Sequence, residues 1–148
     1  MSQLQVGDDI LEAYNKVRSD DDQTSWAVFK YGEAKTDPLV VAATGEGDID
    51  EMKGNLAEDE RAYCFLRVTS GDDLSARPKF VFISWVGERV SPLKKASVST
   101  DKAFVKEICE NFAVELHATS DDDISSEEIM GRVRKAGGAD YGSGSART

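Results

Sequence analysis

One histidine, two cysteines and three prolines are all that this 148-residue sequence holds of the residues that most often build metal centres, disulfide frameworks and rigid turns. The lone histidine, His117, has no Cys/His set with zinc spacing around it. Neither cysteine has a nucleophile context, so His117 reads as a structural residue. Cys64 and Cys109 stand far apart inside apolar patterns, which predicts buried, reduced thiols of the kind found in cytosolic proteins. No apolar stretch approaches the length of a membrane-spanning helix. The opening MSQLQVGDDI lacks the basic region and apolar core of a signal peptide. Positive charge is also scarce: the formal net charge is −10, and a protein without a dominant basic footprint is not built mainly for nucleic acid.

Motif-level chemistry is absent too. Gly45-Glu-Gly47 and Gly137-Gly138 have neither the spacing nor the Lys-Ser/Thr ending of a phosphate loop. Asp48 to Gly54 departs from a calcium loop, with Met52 where an oxygen ligand is needed and Gly54 one position late. The acidic triplets Asp20–Asp22 and Asp121–Asp123 read as solvated loops. The aromatics Trp26, Phe29, Tyr31, Tyr63, Phe65, Phe80, Phe82 and Trp85 sit in strand patterns and are core residues. No catalytic residue, cofactor or metal site is legible, and an enzyme would rest on the Cys/His set alone. The default class is a binding module.

What is present is a single-domain pattern, with 31% charged and 40% hydrophobic residues. Asp8-Asp9 with Ile10, Leu11, Tyr14 and Val17 predicts a first helix, Asp9 and Glu12 forming a capping box. Trp26–Tyr31 and Leu39–Thr44 read as strands joined by a turn within Gly32–Pro38, and Ile49–Leu56 as a short helix. Arg61–Val68 and Phe80–Val86 are further strands with a turn signal at Ser70–Asp73. AVELHAT, residues 113–119, alternates like a last strand. Ser125 and Glu128 open a closing helix that Gly137-Gly138 should stop. Residues 1–141 are read as one domain and 142–148 as a flexible polar tail.

The chain is organised around Arg77 to Phe112. Phe80–Val86 reads as a central strand, and Ser91-Pro92 as the N-cap and first residue of a long helix. At 100° per residue, Leu93, Phe104 and Ile108 share an arc of about 60°, which predicts the face that packs on the sheet. Lys95, Lys102 and Lys106 share about 40° on roughly the opposite side. Residues 77–106 carry seven Lys/Arg against Glu88 and Asp101, a local charge of +5 in a protein of −10. A lysine stripe alone is a solvated helix face; a basic island on an acidic protein also suits an acidic partner.

The segments TSWAVFKY (24–31), FLRVTSGDDLSARPKFVFISWVGERVSPLKKASVSTDK (65–102), VKEICENFAVE (105–115) and RKAGGADY (134–141) resemble the coactosin branch of the ADF-homology, cofilin-like family. The resemblance implies an α/β (α+β) ADF-homology fold, with a mixed five- to six-stranded central sheet flanked by helices on both faces. It implies a monomer in the cytoplasm and cytoskeleton that binds the side of filamentous actin and regulates filament stability without catalysis. It further implies that Lys79, Leu93, Lys95 and Lys106 make the actin contacts; Lys102 joins them from the helical stripe. Glu107 and Glu110, and an N-terminus with no basic residue before Lys16, depart from the cofilin pattern and favour filaments over a monomer-binding, depolymerising role. Lys135 matches a position that contacts a lipoxygenase in some relatives, so an adaptor or chaperone role for a non-actin enzyme, around Arg132, Arg134 and Lys135, is the other expectation.

Overall fold

The computed structural model describes residues 5–32, 37–70 and 77–146. Five strands form one sheet: β1 (Trp26–Lys30), β2 (Val40–Gly45), β3 (Arg61–Ser70), β4 (Arg77–Val86) and β5 (Val114–Ala118). Their order is β2-β1-β3-β4-β5, antiparallel throughout except for the parallel β4–β5 pair. The helices are α1 (Asp8–Arg18), α2 (Ile49–Lys53), α3 (Pro92–Lys106) and α4 (Ser126–Ala146), with a 3-10 turn at Asp121–Ile124. The turns expected within Gly32–Pro38 and at Ser70–Asp73 lie largely outside the described residues, and the tail set apart at 142–148 extends beyond them.

Side-chain alternation divides the core in two. Ala27, Phe29, Tyr63, Phe65 and Phe82 face α1 and α3. Val28, Cys64, Leu66, Val81, Ile83 and Leu116 face the opposite way, against Met52 of α2 and Ile129 and Val133 of α4. Both thiols are buried and unbridged.

Three local expectations are corrected. Asp9 does not cap α1: its N-cap is Gly7, with no side-chain bond. The Asp9 carboxylate instead accepts the Val41 amide of edge strand β2 at 3.0 Å, beside the bonds Leu39 N to Gln5 O and Gly7 N to Leu39 O. Strand β4 starts at Arg77 rather than Phe80, because it pairs with β3 over its full length, from Ser70↔Arg77 to Arg61↔Val86. Strand β5 begins to pair only at Val81, so Pro78 lies where β4 has one neighbour, a position that tolerates proline. Gly137-Gly138 does not end α4, whose backbone continues to Ala146; glycine costs a helix roughly 1 kcal/mol per residue relative to alanine but does not forbid its dihedrals.

Other signals hold. Ser91 caps α3, accepting the Lys94 amide at 3.4 Å, with Pro92 at the first turn. The reading of Asp121–Asp123 as a solvated loop is corrected: the segment is a 3-10 turn, and the Asp123 carboxylate accepts the amides of Thr119 at 2.9 Å and Ser120 at 3.3 Å. Those bonds, chiefly the Thr119 amide, hold its pKa below the usual carboxylate range.

Gly87 sets the path from β4 into α3. Its amide donates to the Glu60 carbonyl at 3.0 Å, and the Arg89 amide to the Glu58 carbonyl at 2.8 Å. A Cβ at Gly87 would lie 2.1 Å from the Glu58 carbonyl oxygen, a backbone atom that cannot swing away. Gly87→Ala is therefore expected to destabilise the protein by about 1–3 kcal/mol, read from the urea midpoint; an unchanged midpoint would refute this close approach.

Candidate functional site

Helix α3 follows the central strand and returns along the sheet, so its C-terminal end meets the start of β4, where the Ala113 amide donates to the Phe80 carbonyl at 2.8 Å. What fixes its rotation is a polar network under the helix. Tyr63 Oη donates to the Val98 carbonyl at 2.9 Å. Tyr31 Oη donates to Asp101 Oδ2 at 2.9 Å, and the two phenol oxygens lie 2.9 Å apart. Arg61 stacks over the Tyr31 ring, its carbon 3.7 Å from the centroid, and donates to Ser97 Oγ at 2.6 Å. Strand β3 and Tyr31, the residue after β1, thus hold one side of α3 through side-chain and backbone groups of Ser97, Val98 and Asp101.

That rotation corrects the predicted packing face. Val98, Val105 and, in the following turn, Cys109 are buried and fall within about 40° of one another. Leu93 lies about 140° from Val98 on the same wheel and is 86% exposed. Phe104 and Ile108 are half-buried at the flank. The sheet beneath is already filled by Tyr63, Phe65 and Phe82, so the compact valines fit there and the larger apolar residues turn away.

The lysine row is corrected too. It runs beside the packing face, about 40–80° from Val98, rather than opposite it. Lys102 and Lys106 consequently reach Glu115 of β5, at 2.9 and 2.7 Å. Burial raises the pKa of the Glu115 carboxyl, but hydrogen bonds and charge from Lys106 and Lys102 together outweigh it and hold the group below the usual range. Lys94 and Lys95 are exposed in the first turn of α3, as Leu93 is, Lys95 lying about 160° from it around the helix.

Lys79 is half-exposed near the start of β4 and borders a shallow depression of about 360 Å³ with Arg18, Pro78, Phe80, Asn111 and Phe112. By alternation it leaves the sheet on the side of Val81 and Ile83, the α4 side. The structure therefore gathers Lys102 and Lys106 around one carboxylate, puts Leu93 about 160° from Lys95 on the far side of α3 from the lysine row, and sets Lys79 near the Lys106 end on the other pleat side. Lys135 is exposed on α4, across the sheet from α3.

Sequence reasoning missed Glu115, although AVELHAT carries the signal: Val114 and Leu116 point to the α4 side, so Glu115 must point to the α3 side. It also missed the Tyr31–Asp101 bond, which no spacing rule reveals. His117 receives or gives a hydrogen bond at 2.9 Å to the buried Ser84 hydroxyl, in keeping with a structural role. Among the described residues, no group of three or more His, Cys, Asp or Glu side chains is placed to hold a metal ion, and no helix is long and apolar enough to cross a membrane.

Comparison with known proteins now bears on this surface. Residues 3–134 match the family described as cofilin/tropomyosin-type actin-binding protein. Coactosin from Dictyostelium discoideum is 48% identical over 134 residues, 90% of this chain and 90% of its own length. The crystal structure of Entamoeba histolytica coactosin superposes with a TM-score of 0.86 at 36% identity, covering 94% of this chain and all of that one. The solution structure of mouse coactosin, described as an actin filament binding protein, superposes at 0.76 with 35% identity over 98% of this chain and 99% of that one.

Two outcomes follow from these buried groups. Tyr63→Phe removes the donor to the Val98 carbonyl and is expected to lower stability by about 1–2 kcal/mol in urea unfolding. Burial raises the pKa of both phenols above their ordinary range, and pushes the Cys64 and Cys109 thiols up to about 12. Unfolded thiols and phenols ionise near about 8.5 and 10. The stabilisation is complete below those values and is lost as pH rises past them, since the unfolded state then releases protons that the folded state keeps. The urea midpoint should fall steadily between about pH 9 and 11; a flat profile would contradict the burial of these groups.

Proposed function

Since the chain belongs to the cofilin/tropomyosin-type actin-binding family, we propose that it binds the side of filamentous actin through α3 and the adjoining start of β4, as a monomeric cytoplasmic regulator of filament stability. One observation carries the choice of surface. Leu93 is the most exposed large apolar side chain among the described residues, at 86%, and it projects from the capped first turn of α3, which also carries the exposed Lys94 and, on its other side, Lys95. A leucine held in water has no role in the core. At an interface it supplies the apolar anchor, and the ammonium groups around it steer the protein to an acidic partner.

In this reading the first turn of α3, with Leu93 and Lys95 on its two sides, forms one end of the contact, Lys102 and Lys106 extend it along the helix, and Lys79 sets the other end. The mouse relative, described as an actin filament binding protein, supports filaments as the actin form, and the acidic Glu107 and Glu110 that follow α3 depart from the cofilin pattern in the same direction. Lys135 lies outside this surface and would serve a separate, non-actin partner on the α4 side.

Co-sedimentation with filamentous actin tests the proposal. Wild type is expected in the pellet at low salt and to be partly released as salt rises. Leu93→Ala should weaken binding about tenfold or more, and Lys95→Ala and Lys79→Ala about two- to fivefold each, with little effect on the melting temperature of the exposed variants. Undiminished pelleting of Leu93→Ala would remove the surface; binding to monomers with none to filaments would replace the filament reading by the depolymerising one.

A further inference from the structure

We propose that Glu115 is an intramolecular competitor for Lys102 and Lys106, so that its carboxylate sets how strongly this edge of the protein attracts an acidic partner; the proposal rests on the filament reading above. The geometry is specific. One oxygen of Glu115 is 2.7 Å from Lys106 Nζ and the other 2.9 Å from Lys102 Nζ. The three side chains are 35%, 28% and 30% exposed for Lys106, Lys102 and Glu115. They are covered enough for the contact to persist and open enough for a macromolecule to reach it.

Two ammonium groups and one carboxylate leave a single net positive charge where the helix alone would offer two. Each ammonium has three donors and gives one to Glu115, so a partner carboxylate could still approach from outside. It would then stand within a few ångströms of a like charge. Either the repulsion is tolerated or the lysines must leave Glu115, and both lower the affinity. Lys95 makes the contrast: it is exposed, with no ion pair among the described residues, and engages a partner with no bond to exchange. The charge count of α3 therefore overstates its attraction to an acidic surface, and Glu115 is the residue responsible.

The test is filament co-sedimentation across a salt series with wild type, Glu115→Gln and Glu107→Gln. Glu107 is exposed next to Lys106 and forms no ion pair among the described residues, so its substitution removes the same formal charge without releasing a lysine. Glu115→Gln should bind about two- to fivefold tighter than wild type at low salt and tighter than Glu107→Gln, the gap closing as salt rises. Glu115→Thr, neutral and suited to a strand, should give the same order and guards against a folding defect peculiar to the glutamine. Binding of both Glu115 variants no tighter than Glu107→Gln, with wild type in the pellet, would overturn the role of Glu115 alone. Wild type left in the supernatant at every salt would overturn the filament reading and this proposal with it.

Discussion

Everything about the candidate surface depends on the hydrogen bonds that fasten α3 to the strands beneath it. A helix lying on a sheet has one continuous freedom, rotation about its own axis, and apolar packing alone restrains it weakly because neighbouring registers bury similar areas. Here Tyr63 holds the Val98 carbonyl and Tyr31 holds Asp101, two points three residues apart on one side of the helix. In a buried setting such bonds are directional and costly to leave unmade. They select one rotation, and that rotation puts Val98 and Val105 inward, Leu93 outward and the lysine row along the flank.

The same rotation divides the cations of α3 into two kinds. Those of the first turn extend into water and form no ion pair among the described residues. Those of the last turns lie over β5 and share its one inward-facing acid. An equal number of charges on two parts of one helix thus offers unequal attraction to a partner. Surface electrostatics in this protein are a matter of which charges are already occupied, and the formal total says little about it.

The sequence was most legible where the signal is local and periodic. The capped start of α3 at Ser91-Pro92 and the alternation of AVELHAT appear where they were expected, the aromatic segments are strands, and the mixed sheet with helices on both faces is the one the family resemblance implies. It was least legible where a choice depends on the volume of distant residues. On α3 the largest apolar residues looked like the core stripe, yet the space under the helix had been taken by Tyr63, Phe65 and Phe82 from other strands. Asp9 failed for a related reason: a capping pattern records only what the local chain offers, and a strand some thirty residues on offered the carboxylate a better donor. The site residues were individually nameable, but their grouping required the fold.

That misplaced cap has a consequence for solubility. Strand β2 is an edge strand with the uncharged sequence V-V-A-A-T, and it carries none of the lysines or prolines that usually discourage one sheet edge from templating another. Its first outward-facing groups are already bonded, to the Gln5–Gly7 segment and to the Asp9 carboxylate. A second chain arriving at this end of the strand finds those groups taken, and it also meets the half-buried Asp9 carboxylate. One aspartate, displaced from the role its position in the sequence suggests, thereby takes the part of a gatekeeper against intermolecular sheet growth.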